Sequence, residues 1–258
     1  MPEHTSFLTF LVAHLPGLRE NAKNLGHTFI GNQPVGYRGL EPIFSSMIII
    51  VVFIGLSLAV RNQWKRLDES VVPDERLGLR TFFEAFFGYF YSMAEDVMGP
   101  KNAQRYFPLI GGSAGFIFFS NVSGLIPGFP APTSSLNVTV GCALLVFIAF
   151  NYFGLKENGW AYLKHMAGPK WYLAPLVFPI EVISTCVRPV TLAVRLMVNI
   201  AADHLIVSVF AGMVAILLPL PVMFLGLIVI VVQTLVFSLL SSIYIGLATE
   251  HAEHGEHH

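Results

Sequence analysis

The chain has 258 residues, 54% hydrophobic and only 12% charged, about half the charged share of a soluble globular domain. Fifteen Lys and Arg against sixteen Asp and Glu leave a net charge of −1, so there is no basic excess of the kind that nucleic-acid binding needs. Mean hydropathy is +0.66. No charged side chain and no His lies between Arg105 and Lys156 or between His204 and Glu250. A soluble fold has no means of covering so much apolar chain, and the pattern predicts an all-α polytopic membrane protein embedded in the lipid bilayer.

Residues 1–42 form an N-terminal segment. Glu3 comes early and no basic stretch precedes the apolar residues, which argues against a cleavable signal. Phe7, Leu8, Leu11, Val12 and Leu15 follow helical spacing and predict a short surface-lying helix. Ile43 to Val60 is uncharged, is closed by Arg61, Lys65 and Arg66, and predicts a first span. A charged connector ends at Val72-Pro73-Asp74. Across 76–98, Leu79, Phe82, Phe83, Phe86, Phe90, Met93 and Val97 recur at helical steps with Arg80, Glu84 and Glu95 opposite. This predicts an amphipathic helix on a membrane face or against another helix, its phenylalanine stripe serving as packing surface. Tyr106 to Ile126 and Asn137 to Leu155 predict second and third spans, joined by the uncharged turn Gly128 to Ser135, so that 43–155 holds three spans. Lys156, Lys164 and Lys170 mark a polar loop over 156–170.

From Trp171 to Leu218 run forty-eight mostly apolar residues, a helix of ~72 Å that must tilt, bend at Pro175, Pro179, Pro189 or Gly212, or do both. Pro219 and Pro221 then turn the chain into a last helix, Val222 to Ala248, of ~40 Å. Residues 171–249 thus predict a hairpin of two long tilted helices, for about five crossings in all. The tail, 250–258, is made almost wholly of Glu and His and reads as solvated rather than metal-binding. Cys142 and Cys186 sit in apolar stretches without ligand spacing, so neither a metal nor another cofactor is expected. Seven basic residues lie between the first and second spans, three between the third and fourth, and none between the second and third. The positive-inside rule then puts the N-terminus outside and the C-terminus in the cytoplasm.

The informative residues are the few charges in apolar surroundings: Glu181, Arg188, Arg195, Asp203 and His204, with Asn199 beside them. Each charge at bilayer depth costs roughly 2.5 kcal/mol or more and needs a partner, water or a purpose. Spacing by seven keeps Glu181, Arg188 and Arg195 on one helix face, and Asn199 lies one turn further. Gln233 and Tyr244 share a face of the last helix. An inner and an outer polar set result, with Arg195 between them as a cation that cannot lose its proton. Such a cation blocks a continuous proton wire and attracts a passing carboxylate, which suits proton movement between a lipid-embedded site and two aqueous phases.

Arg195-Leu-Met-Val-Asn199 with Glu181 upstream, Gln233 and Tyr244 in the last helix, Asn137-Val-Thr139 at the third span and the ending Ser242 to His251 together resemble the a-subunit family of rotary F-type ATP synthases. The resemblance implies an ion-conducting stator, itself non-catalytic, beside a ring of c subunits. The implied partners are that ring, the peripheral-stalk b subunits and, indirectly, the F1 sector, in a bacterial inner membrane. Arg195 would face the ring carboxylate, Glu181 would be the inner half-channel acid, and Asn199 and Gln233 the polar pair near the arginine. Where some members carry Glu this chain has His204, and where those have a His on the last helix it has Gly226, as if the two positions were exchanged. Asp203 adds a carboxylate beside His204, although helical geometry points it about 100° away.

Blander readings stand beside these: Glu181 paired with Arg188 as structural glue, Arg188 snorkelling, His204, Asn199 and Gln233 as interhelical hydrogen bonders, and Tyr244 as an interface aromatic. A stand-alone ion-coupled transporter would show inverted repeats, and the two halves of this chain do not resemble each other. An intramembrane enzyme would need a nucleophile or metal motif, and neither GxSxG nor HExxH occurs, nor does a phosphate-binding GxxxxGK[ST]. The choice between H⁺ and Na⁺ lies in the ring subunit.

Overall fold

A computed structural model of the chain describes residues 41–64, 78–126, 129, 131–159, 174–213 and 219–249. Among these residues the helices are α1 (Glu41–Trp64), α2 (Leu79–Met98), α3 (Pro100–Ser123), α4 (Leu136–Asn158), α5 (Ala174–Met213) and α6 (Pro219–Thr249), with a 3-10 turn at Pro132–Ser134. The fold is all-α. The expected surface helix near Phe7, the Val72-Pro73-Asp74 connector, most of the 156–170 loop and the His-rich tail lie outside the described residues.

Within α1, α4, α5 and α6 lie stretches long and apolar enough to cross a membrane: Glu41–Arg61, Leu136–Glu157, Pro175–Phe210 and Pro221–Thr249. Their outer faces are apolar, as at Met47, Val51, Leu145, Ile148, Val190 and Leu225. In water such faces would drive aggregation, and in a bilayer they meet lipid or other membrane helices. The second expected span, Tyr106 to Ile126, corresponds to α3, which starts earlier, at Pro100. Its 24 residues are long enough to cross, but Gly111, Gly112, Ser113, Gly115, Ser120 and Asn121 dilute its apolar character. It buries Tyr106, Ile110, Ala114 and Ile117 at every third or fourth position, which marks a helix that packs along one side.

Two further details differ from the sequence pattern. Pro219 and Pro221 do not turn the chain before the last helix but sit in its first turn, where a missing N–H removes no intrahelical bond. On α2, the apolar stripe divides: Phe83, Phe90, Ala94 and Met98 are buried, whereas Leu79, Phe82 and Tyr89 are exposed. Arg80 and Glu84 pair at 2.9 Å, one turn apart. The α2–α3 corner depends on Gly99, whose φ of +78° is left-handed, and on Pro100, which cannot continue α2 but can open α3.

α5 is one helix of 40 residues running through Pro179 and Pro189. At about 60 Å it is twice as long as the ~30 Å hydrocarbon core, so a bilayer accommodates it only if it tilts, bends or extends beyond the core. Near Pro189, the Thr191 hydroxyl donates to the carbonyls of Val187 at 2.7 Å and Arg188 at 3.0 Å.

By packing, the chain falls into two units. One comprises Phe116–Thr139, Leu196–Val231 and the residues up to Gly55. Here the Phe53 and Phe119 rings meet at 5.5 Å, and the Thr133 hydroxyl donates to Asn121 Oδ1 at 2.6 Å. The other comprises Leu56–Gly115, Val140–Arg195 and the residues from Val232. Its core joins Ala94, Met98, Ala103, Tyr106, Ile110, Phe150, Ile245 and Ala248. At the rim of that core Arg105 pairs with Glu157 at 2.5 Å, and the Tyr106 hydroxyl donates to the same carboxylate at 3.4 Å. Ser238, Ser241, Ser242 and Thr249 of α6 are buried because each hydroxyl donates to the carbonyl four residues back, 2.8 to 2.9 Å away.

Candidate functional site

The residues singled out on the last two helices fall into two sets, one in each unit. The set in the Val140–Arg195 unit comprises Glu181 and Arg195 on α5, together with Gln233 and Tyr244 on α6. Leu192 and Ala193 are buried, so that side of α5 is covered, while Arg195 lies exposed with Val190 and Val194 nearby. Among the described residues the Arg195 guanidinium has neither a hydrogen bond nor an ion pair. A permanent cation is thus displayed on an apolar helix face with no anion beside it among the described residues.

Arg188, two turns before Arg195, is half-buried and lies over the Tyr244 ring, 5.1 Å from its centroid. Cation–π contacts of this kind contribute about 0.5–2 kcal/mol. Phe150 of α4 meets the same ring at 6.1 Å, and Tyr244 packs against the unit's hydrophobic core. The Glu181 carboxylate is half-buried and makes no ion pair with Arg188 among the described residues; only its backbone carbonyl is engaged, accepting from Thr185 Oγ1 at 2.8 Å. The structural Glu181–Arg188 pair is therefore not formed. Gln233 is buried on α6, 4% exposed, beside Thr234 and above the back-bonded serines.

The second set belongs to the Leu196–Val231 unit and contains Asn199, Asp203 and His204, all half-buried. A Cβ built at Gly226 would meet Leu125 Cδ2 at 3.5 Å and no described atom of His204 within 4 Å. The glycine that accommodates the imidazole is Gly124, at the end of α3. A Cβ there would lie 2.8 Å from the Ala131 Cβ, 3.0 Å from His204 Nε2 and 3.2 Å from the Asn121 carbonyl. The bare backbone at Gly124 lets three segments converge on the imidazole.

Sequence reasoning passed over the residues around this contact. Asn121 and Thr133 are buried and hydrogen-bonded to each other, while Asn121 Nδ2 and Ser120 Oγ are buried with no partner among the described residues. Buried polar groups normally find protein or water partners, so this end of α3 is suited to hydration. The available signal was a Ser-Asn pair directly after the apolar Phe116 to Phe119, which reads just as well as the end of a span.

The sequence profile of the ATP synthase A chain family matches residues 43–246. An ATP synthase subunit a from Sorangium cellulosum (strain So ce56) is 70% identical over 254 residues, covering 98% of this chain and 100% of that protein. One from Aliarcobacter butzleri (strain RM4018) is 44% identical over 230 residues, 88% of this chain and 97% of that protein. An ATP synthase subunit a 1 from Syntrophotalea carbinolica is 39% identical over 246 residues, 95% and 97% respectively.

Proposed function

The chain belongs to the ATP synthase A chain family, and from that premise we propose how its residues act as the proton-translocating stator of the membrane sector of an F-type ATP synthase. Protons enter from outside near His204, neutralise a carboxylate of the c ring, and leave near Glu181 and Tyr244 once that carboxylate has passed Arg195. Asn199 and Gln233 flank the arginine, Asp203 lends a carboxylate beside His204, and Asn121, Ser120 and Thr133 line the outer approach. The subunit is non-catalytic: it converts ion flow into ring rotation, and nucleotide chemistry belongs to the F1 sector. Its direct partners are the c ring and the peripheral-stalk b subunits. It lies in a bacterial inner membrane with its N-terminus outside and its C-terminus cytoplasmic.

The observation that carries the reading is Arg195, exposed among apolar neighbours on α5 with no anionic partner among the described residues. A central membrane charge costs roughly 2.5–3.5 kcal/mol even on the mildest scales. A carboxylate arriving on a neighbouring helix relieves that cost, and a permanent cation at the meeting point keeps the two proton paths from joining. The test is Arg195→Ala in membrane vesicles carrying the assembled complex. ATP synthesis and ATP-driven proton pumping are both lost while the subunit is retained in the complex. Normal coupling in that variant would make the arginine structural and end this reading.

A further inference from the structure

Arg188 enters the mechanism above only as a neighbour, yet its geometry is specific. It lies seven residues from both Glu181 and Arg195, on their face of α5. The rise between Glu181 and Arg188 is about 10.5 Å, a gap that an extended Arg and an extended Glu can close. They do not close it. The guanidinium lies over the Tyr244 ring at 5.1 Å, and the ring is backed by Phe150 of α4. The Tyr244 hydroxyl makes no hydrogen bond among the described residues, so the contact this residue offers is its ring face.

We propose that Tyr244 is a positioning residue for proton release: its ring face, rather than its hydroxyl, holds the charge of Arg188 out of an ion pair with Glu181. This rests on the reading of Glu181 as the inner acid. A carboxylate locked to a guanidinium favours its ionised form and relays protons poorly, whereas one left unpaired can take up a proton and pass it on. Arg188 cannot lose its proton, so only its placement can withhold the charge. Tyr244 supplies that placement because Phe150 and the core of the unit fix the plane of its ring. No other described charged side chain pairs with Glu181 or Arg188.

The test is passive proton conduction through vesicles stripped of F1, normalised to the amount of the subunit in the assembled membrane sector. Tyr244→Leu frees Arg188 to pair with Glu181 and lowers conduction about fivefold, the factor equivalent to roughly 1 kcal/mol of cation–π energy. Tyr244→Phe, which keeps a ring under the cation, conducts several-fold faster than Tyr244→Leu. The double variant Arg188→Gln/Tyr244→Leu also recovers several-fold, because the charge that would lock Glu181 is gone. The proposal is overturned if Tyr244→Phe falls as far as Tyr244→Leu, or if Arg188→Gln leaves the Tyr244→Leu loss unrelieved. Should Tyr244→Leu fail to assemble, Tyr244→Met takes its place with the same expected outcomes. Glu181→Gln separates the two levels. If it conducts like the wild type, the inner-acid reading itself is wrong. If it blocks conduction while Arg188→Gln does not relieve the Tyr244→Leu loss, only the positioning role fails.

Discussion

Gly124→Ala places a methyl group where the structure has no room for one. The new Cβ would lie 2.8 Å from the Ala131 Cβ, 3.0 Å from His204 Nε2 and 3.2 Å from the Asn121 carbonyl oxygen. Carbon atoms pack best at about 3.5–4.0 Å, so Ala131 must retreat by roughly 0.7 Å or more, or the imidazole must swing away. Ala131 and Asn121 do not yield cheaply, because one contact is a Cβ fixed by its backbone and the other a main-chain oxygen, which leaves the imidazole to move. Overpacking of this kind costs about 1–3 kcal/mol. If the strain is relieved by moving His204, the working arrangement becomes about 5- to 150-fold less populated, since 1.4 kcal/mol is a factor of ten. Proton uptake by F1-stripped vesicles should fall within that range. Adding Ala131→Gly removes the closest clash and should restore part of the rate. Wild-type conduction in assembled Gly124→Ala would refute the convergence of these segments on His204.

Gly246→Ala makes a useful contrast, because its Cβ would meet only the Met98 Cγ closely, at 3.2 Å, and methionine repacks; assembly should drop by no more than about 1 kcal/mol in a thermal-stability assay of the solubilised complex. Thr133→Val removes the donor to Asn121 Oδ1 and leaves that buried oxygen unpaired, a penalty of about 1–3 kcal/mol, visible as slower proton uptake, whereas Thr133→Ser should retain most of the rate. Arg105→Gln deletes an ion pair whose arginine is half exposed and should cost no more than about 1 kcal/mol, while Tyr106→Ala empties a core site 1% exposed and should cost about 3–5 kcal/mol, with loss of the subunit from membranes. Ser238→Ala should be close to neutral in the same assay, within about 1 kcal/mol, because among the described residues its hydroxyl bonds to the Thr234 carbonyl of its own helix.

Much of the architecture was legible because membrane helices announce themselves by length and by the absence of charge. The first and third spans and both long final helices appear within a few residues of their sequence limits, and where α6 differs the reason is local: Pro219 and Pro221 fit a helix's first turn as well as they fit a break before it. The division of the α2 stripe was not legible, since Phe82 and Phe83 have the same chemistry and only packing decides which is buried. Within the candidate site, Arg195 and Glu181 stood out because charge in an apolar run is costly wherever it falls. Asn121 and Thr133 did not, because an uncharged polar residue near the end of a span has many ordinary explanations. The exchanged residues point to Gly226 as the partner of His204, whereas the close approach of His204 to Gly124 depends on how the end of α3 lies against Ala131, which no spacing rule encodes. Arg188 has reachable partners in Glu181 and in Tyr244, and the contact between separate helices is the one formed.

The central claim is that the exposed Arg195 face of α5 meets the carboxylate-bearing helix of the ring. Zero-length disulfide formation between Val194→Cys and a cysteine one turn from the ring carboxylate tests it most directly, with Ala193→Cys on the covered side as the reference. The account predicts rapid cross-linking from position 194 and little from 193. Cross-linking from 193 with none from 194 would turn the helix the wrong way round and contradict it.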